Sequence, residues 1–298
     1  MMIEFLKMHG LGNDFIVFDA RSGDARSGDA NSGGVLADMR LDEDAARLIA
    51  DRRFGIGCDQ IMILRDAKGD GDLYLDMRNQ DGSQTGACGN GTRCVAHLVM
   101  AQTGQTEVTI ETMAGLLYAR QKGDLIEVNM GQAYLEWDEI PLRKTADTLA
   151  INLAPHEEIL GVGVSLGNPH VVLFVDDAEG VDVAARGAAL EWSAPFPEGV
   201  NVSFAHMMGP DKIRMRVFER GVGITSACGS GACAVGVAAH RRGLAGRASE
   251  VVLDGGSLFI QWQDDGTVLM AGPVATSYKG VLTGALEQAV SAAQKGSV

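Results

Sequence analysis

A chain of 298 residues, 46% of them hydrophobic, is long enough for two compact domains. A formal net charge of −14 with no basic patch leaves nothing to neutralise a phosphate backbone, which excludes nucleic acid and points to small molecules as partners. No run approaches the roughly 20 apolar residues that cross a bilayer, and the N-terminal apolar stretch holds Glu4 and Lys7 with no cleavage signal after it; a soluble, cytoplasmic protein with no membrane partner is expected.

Along the chain, β-branched runs bounded by Gly, Asn and Asp predict strands, and apolar residues at helical spacing predict helices. In order these include a strand at Phe15–Phe18, a helix at Asp42–Arg53, a strand at Ile61–Leu64, a helix at Cys88–Thr103, strands at Val108–Glu111 and Val171–Val175, a helix at Cys228–Arg242, a strand at Val251–Leu253 and a helical tail at Leu286–Gln294. Strands outnumber helices, so the expected class is α/β in the α+β sense. Between the first strand and the first helix, Arg-Ser-Gly-Asp-Ala occurs twice in tandem, at Arg21–Ala25 and Arg26–Ala30. This small, polar segment, Ser22 to Val35, reads as a solvated loop.

A longer-range repeat carries more information. Leu11-Gly12-Asn13-Asp14-Phe15-Ile16-Val17 resembles Leu166-Gly167-Asn168-Pro169-His170-Val171-Val172, and Cys88-Gly89-Asn90-Gly91-Thr92-Arg93-Cys94 resembles Cys228-Gly229-Ser230-Gly231-Ala232-Cys233. Gln60 lies 47 residues after Asn13, and Asn201 lies 33 after Asn168; the excess of 14 matches the polar loop, which only the first half contains. Beyond it the halves run nearly in step, with 28 residues from Gln60 to Cys88 against 27 from Asn201 to Cys228, and with Asn79 and Glu219 each nine residues ahead of a cysteine. Duplication into two pseudo-symmetric lobes is therefore expected.

Five cysteines, an odd number, do not make a disulfide framework. Cys58, Cys94 and Cys233 read as small core residues. Cys88 and Cys228 differ, because each opens a Gly-rich helical stretch whose unpaired amides and dipole favour an anion, which can draw a thiol from about 8.5 down to roughly 3.5–7.5. If the lobes are related by a pseudo-two-fold axis, the two thiols can face a bound molecule from opposite sides. One removes an α-proton while the other delivers a proton, and the pair shares one proton because two close thiolates repel. The backbone amides of Gly89, Asn90, Gly229 and Ser230 could hold the carboxylate that stabilises the carbanion. Zinc is not expected, since Cys88 and Cys94 are separated by five residues and only Cys228 and Cys233, separated by four, fit metal-ligand spacing.

These segments, Gly12-Asn13-Asp14-Phe15, Asn79 ahead of Ala87-Cys88-Gly89-Asn90-Gly91, Asn168-Pro169-His170, Asn201, and Glu219-Arg220 ahead of Ala227-Cys228-Gly229-Ser230-Gly231, resemble the diaminopimelate epimerases over about residues 1–283. The resemblance implies two hotdog-like halves, each a β-sheet wrapped around a central helix, and no pyridoxal phosphate or other cofactor. It also implies interconversion of LL- and meso-diaminopimelate in lysine and peptidoglycan-precursor synthesis. On the same ground Cys88 and Cys228 are the acid/base pair, His170 and Glu219 tune the thiols, and Asn13, Gln60, Asn79, Asn168, Asn201, Glu219 and Arg220 form a polar shell around the substrate. Arg220 suits a distal carboxylate, which its guanidinium can bind with two hydrogen bonds.

The expected lobes are 1–131, completed by about 275–285, and 132–274, followed by a helical extension at 286–298. The expected partners are an amino-acid substrate and a second copy of the chain, as a homodimer. Two departures from the family pattern stand out: Ile224 where the family carries Glu, and the length of the Ser22 to Val35 loop. A proline or hydroxyproline racemase of similar build, or a non-catalytic binding protein of the same fold, are the alternatives.

Overall fold

The computed structural model describes residues 2–22, 39, 41–86, 88–154 and 158–295, with side chains up to residue 290. Of the polar Ser22 to Val35 loop only Ser22 lies among them. In chain order the elements are β1 (Glu4–Gly10), β2 (Asn13–Asp19), α1 (Glu43–Ala50), β3 (Gln60–Arg65), β4 (Leu73–Asn79), β5 (Gln84–Thr85), α2 (Gly89–Thr103), β6 (Glu107–Thr112), β7 (Gly115–Lys122), β8 (Leu125–Gln132) and β9 (Ile151–Asn152). Then follow β10 (Leu160–Ser165), β11 (Pro169–Phe174), α3 (Val183–Glu191), β12 (Asn201–Gly209), β13 (Lys212–Glu219), β14 (Gly223–Ile224), α4 (Gly229–Arg241), β15 (Ala248–Leu253), β16 (Gly256–Trp262), β17 (Thr267–Gly272), β18 (Ala275–Val281) and α5 (Gly284–Lys295).

The chain divides into two compact units, Met1–Val128 with Pro273–Val298, and Asn129–Gly272. In the first, β1 and β2 form an antiparallel hairpin, β2 runs parallel to β3 after α1, β3 pairs antiparallel with β4, and β4 runs parallel to β6 after α2. Antiparallel β7 and β8 follow. The second unit repeats these pairings, with β10–β11, β11–β12 across α3, β12–β13, β13–β15 across α4, and then β16 and β17. The internal likeness read from motif spacing is thus matched by strand topology, element for element.

Each sheet wraps a central helix. In the first unit α2 packs on β1, β2, β3, β6 and β7, and in the second α4 packs on β10 to β13 and β15 to β17. Helix α4 is buried on every side, from Gly231 through Ala239, as suits a helix inside a curved sheet rather than on its surface. Small residues make the fit possible: a Cβ on Gly236 would stand 2.9 Å from Ile260 Cγ2.

The outer helices pack on separate cores. Helix α1 contributes Ala45, Ala46, Ile49 and Ala50 to a cluster with Ile3, Phe18 and Ile61. The C-terminal helix α5 packs against α1 and adds Val290 to that cluster, so the tail is an integral layer of the first unit. The Asp42 carboxylate caps the Ala45 amide to start α1. The sequence pattern predicts that α1 reaches Arg53, yet it stops at Ala50 because the Asp51 carboxylate takes the amides of Arg53 and Phe54, both at 2.7 Å.

Helix α3, the counterpart of α1, escapes the sequence reading because Gly187 interrupts its apolar run. Packing explains that glycine: a Cβ there would lie 2.4 Å from both Cβ and Cγ of Phe218, atoms too near the backbone to swing away. Gly187→Ala is expected to destabilise the fold by about 1–3 kcal/mol through this overlap. The measurement is urea unfolding, where the midpoint should fall at an unchanged slope.

Candidate active site

In the first unit the site residues collect at the start of α2. The two-residue turn joining β1 and β2 places Leu11 at φ 59° and Gly12 at φ 87°, the left-handed pair that matches the twist of a tight hairpin. That turn delivers Asn13 beside the helix start. Cys88 is the N-cap of α2: its sulfur accepts the Gly91 amide at 3.4 Å and lies 4.0 Å from Asn13 Oδ1. Gln60 and Asn79 pair across β3 and β4, with Gln60 Nε2 donating to Asn79 Oδ1 at 2.9 Å and Asn79 Nδ2 to Ser83 Oγ at 3.1 Å. Gln60 Oε1 is buried with no hydrogen-bond partner among the described residues. A buried acceptor without a donor is costly in isolation and suits a ligand N–H.

The second unit builds the matching arrangement at the start of α4. Cys228 is the N-cap, 4% exposed, with its sulfur 3.7 Å from Ser230 Oγ. Its neighbour is Glu219, the last residue of β13, held by a hydrogen bond from the Thr225 hydroxyl. Burial, and then the charge and hydrogen bond of Glu219, push the Cys228 thiol well above its ordinary value. The expectation that a helix start lowers both thiols is therefore corrected for Cys228. Loss of water and a nearby carboxylate outweigh the Gly231 amide and the Ser230 hydroxyl, so the resting sulfur keeps its proton and donates it toward Glu219.

His170 is wholly buried, and burial, reinforced by the Arg220 charge, lowers it to about 3. It is neutral at physiological pH. Asn168 Nδ2 points to Ser230 Oγ at 3.5 Å, which leaves Asn168 Oδ1 to accept from His170 Nε2 at 3.1 Å. With the proton on Nε2, Nδ1 is a bare acceptor, buried and without a partner among the described residues. Asn201 clamps two backbone segments, donating to Pro169 O at 2.9 Å and accepting the Arg220 amide at 3.0 Å. The Arg220 guanidinium reaches the Glu198 carbonyl at 3.1 Å.

The sequence-predicted residues thus fall into two groups. Asn13, Gln60, Asn79, Cys88, Gly89 and Asn90 lie in the first unit, and Asn168, His170, Asn201, Glu219, Arg220, Cys228, Gly229 and Ser230 in the second. Gly89 and Gly229 are the first helical residues, whose turn carries amides with no intrahelical acceptor. Asp59 and Thr225 are the residues that sequence reasoning misses: Asp59 binds Asn13, and Thr225 binds Glu219. Their adjacency to Gln60 and to the Cys228 segment was the available signal. Burial raises the Cys58 and Cys94 thiols to about 12, which keeps them protonated and unreactive near neutral pH. Among the described residues no group of three or more His, Cys, Asp or Glu is placed to hold a metal ion.

Known proteins share both the sequence and the fold. The sequence model of the family described as diaminopimelate epimerase matches residues 5–136 and 162–276. A diaminopimelate epimerase of Rhodospirillum centenum is 50% identical over 287 residues, covering 95% of this chain and 93% of that one, and one from Acidiphilium cryptum is 48% identical over 283 residues, covering 95% and 97%. Among solved structures, a phenazine biosynthesis protein of the PhzF family from Bacillus anthracis aligns with a TM-score of 0.63 at 14% identity, covering 95% of this chain and 99% of that one. A hydroxyproline epimerase from Agrobacterium vitis, with bound trans-4-hydroxy-L-proline, aligns with a TM-score of 0.63 at 17% identity, covering 94% and 91%. These distant likenesses establish the fold, while the sequence matches, which run through both cysteine segments, establish that the chain belongs to the diaminopimelate epimerase family.

Proposed function

We propose that this chain interconverts LL-2,6-diaminopimelate and meso-diaminopimelate by inverting one α-carbon with two thiols and no cofactor, as a step of lysine and peptidoglycan-precursor synthesis. The observation that carries the reading is the matched pair of helix starts. In each unit a cysteine occupies the N-cap position of the central helix, and a polar residue nine positions earlier ends a strand of the sheet, Asn79 on β4 and Glu219 on β13.

In one direction the Cys88 thiolate takes the α-proton. The C–H bond breaks, an S–H bond forms, and the electron pair spreads into the substrate carboxylate. Backbone amides of Gly89, Asn90, Gly229 and Ser230 stabilise that charge, and because they are fixed before reaction they need not reorganise as it develops. The Cys228 thiol then delivers its proton to the opposite face of the carbon and becomes the thiolate. In the reverse direction Cys228 passes its proton to Glu219 and takes the α-proton as the thiolate, while Cys88, which enters as the thiol with a proton taken from solvent, delivers that proton to the opposite face. His170, neutral, serves as a hydrogen-bond acceptor rather than a cation. Asn13, Gln60, Asn79, Asn168, Asn201 and Arg220 bind the amino and carboxylate groups, with the buried Gln60 Oε1 suited to an ammonium and Arg220 to the distal carboxylate.

The proposal includes a homodimer in the cytoplasm. No helix among the described residues is long and apolar enough to cross a membrane. In deuterated water the enzyme is expected to introduce deuterium at the α-carbon of diaminopimelate and not of proline, as followed by mass spectrometry. Exchange of proline with diaminopimelate untouched would overturn the substrate assignment.

A further inference from the structure

Around Cys88 runs a chain of side chains whose polarity is dictated at both ends. At one end Arg93, 0% exposed in the first turns of α2, donates from Nη1 to Asn90 Oδ1 at 2.9 Å. Its close seat depends on Gly10, where a Cβ would stand 2.8 Å from Nη2. Asn90, 3% exposed, then donates from Nδ2 to Asn13 Oδ1 at 3.1 Å. Asn13 in turn donates from Nδ2 to Asp59 Oδ2 at 2.7 Å. At this far end Asp59 is held by Arg52 Nη2 at 2.8 Å and by the Asp14 amide at 3.1 Å. Arg52 also grips Asp14 through both of its terminal nitrogens, at 3.0 and 2.7 Å.

A carboxamide can usually sit either way round, since its oxygen and nitrogen are alike in size. Here it cannot. A guanidinium only donates and a carboxylate only accepts, so Asn90 must turn its oxygen to Arg93, and Asn13 must turn its nitrogen to Asp59. Reversing either amide sets N–H against N–H at one contact and oxygen against oxygen at the other. The Asn13 oxygen therefore faces the Cys88 sulfur, where it accepts S–H and opposes a thiolate, counter to the Gly91 amide on the same sulfur.

We propose that Asp59 and Arg93 are positioning residues that fix the Asn13 carboxamide with its oxygen toward Cys88, and so set the balance between thiol and thiolate at that sulfur. The consequence for turnover rests on the two-thiol reading; the effect on Cys88 itself does not.

The test uses the whole enzyme. Asp59→Asn removes the acceptor-only end. The double variant Asp59→Asn/Asn90→Asp moves the carboxylate to the other side of Asn13, so that the Asn13 N–H groups face the carboxylate introduced at position 90 and the amide is reversed while the net charge is kept. Parent and variants are alkylated with iodoacetamide at about pH 7.5, below the ordinary thiol range. The rate at Cys88 is read by peptide mass spectrometry against the parent enzyme, with buried Cys58, Cys94 and Cys228 as monitors of unfolding. With N–H replacing oxygen beside the sulfur, Cys88 labelling is expected to speed up about threefold or more in Asp59→Asn, and by less in the double variant, where the carboxylate at position 90 stands close to the sulfur and disfavours the thiolate. In parallel kcat/KM should fall by about tenfold. A Cys88 rate within about 1.5-fold of the parent in both variants, or a rise seen only when Cys58, Cys94 and Cys228 also label, would overturn the positioning role. Full activity in a Cys88→Ala enzyme would instead defeat the two-thiol reading, and the Cys88 labelling rates of the Asp59 variants would still judge the relay.

Discussion

Cys88→Ala and Cys228→Ala are each expected to reduce epimerisation by about a thousandfold or more, the scale of losing a positioned proton donor or acceptor, while both proteins stay folded. Folding should survive because Cys88 is only partly buried at a helix cap, and because alanine fits the helix-lining space that Cys228 occupies among small residues. The informative difference lies in exchange rather than inversion. A variant with one thiol can still remove the α-proton presented to it and return a deuteron to the same face. Each variant should therefore exchange the α-hydrogen of one configuration only, and the two variants should choose opposite configurations. Nuclear magnetic resonance of diaminopimelate in deuterated water reads both quantities. Near-parent inversion by either variant would exclude a two-base mechanism, and exchange of the same configuration by both would exclude opposed roles for the thiols.

What the sequence reveals of this arrangement follows from which forces are local. Helices α2 and α4 begin where the Cys-Gly-x-Gly segments predict, because capping and the change from extended to helical backbone are decided within a few residues. The likeness of the halves is legible because 14 additional residues between Asn13 and Gln60 shift spacing without altering the order and pairing of the strands. By contrast, α3 is hidden by Gly187, whose reason for being glycine is the distant ring of Phe218. The early stop of α1 is set by a side chain competing for backbone amides, which hydrophobic periodicity does not record. Site electrostatics are the least legible. A helix start suggests a lowered thiol, yet at Cys228 burial and Glu219 decide the sign, and both depend on what folds around the sulfur rather than on its neighbours in the chain. The same holds for His170, whose neutrality comes from complete burial and then from the Arg220 charge.

Glu219→Gln is expected to lower kcat by about 10² to 10⁴ near neutral pH, because it removes the acceptor for the Cys228 proton. Glutamine keeps the size of the side chain and can still accept the Thr225 hydroxyl, so the β13 end and the helix start should hold their places. What changes is the route of the proton. With glutamate present, a thiol raised well above its ordinary value by burial and by the carboxylate can pass its proton along the existing hydrogen bond. With glutamine present, Cys228 must ionise to solvent before it can act as a base. Loss of the Glu219 charge itself favours the thiolate and moves the thiol downward, but burial, the larger cause, remains. The rate of the variant should therefore climb as pH rises toward the thiol's own value, so the deficit is greatest at low pH and shrinks in alkali. The parent, whose proton stays within the pair, should lack that climb. A pH–rate profile of the variant that runs parallel to the parent's, with the same deficit throughout, would place Glu219 outside the path of the proton.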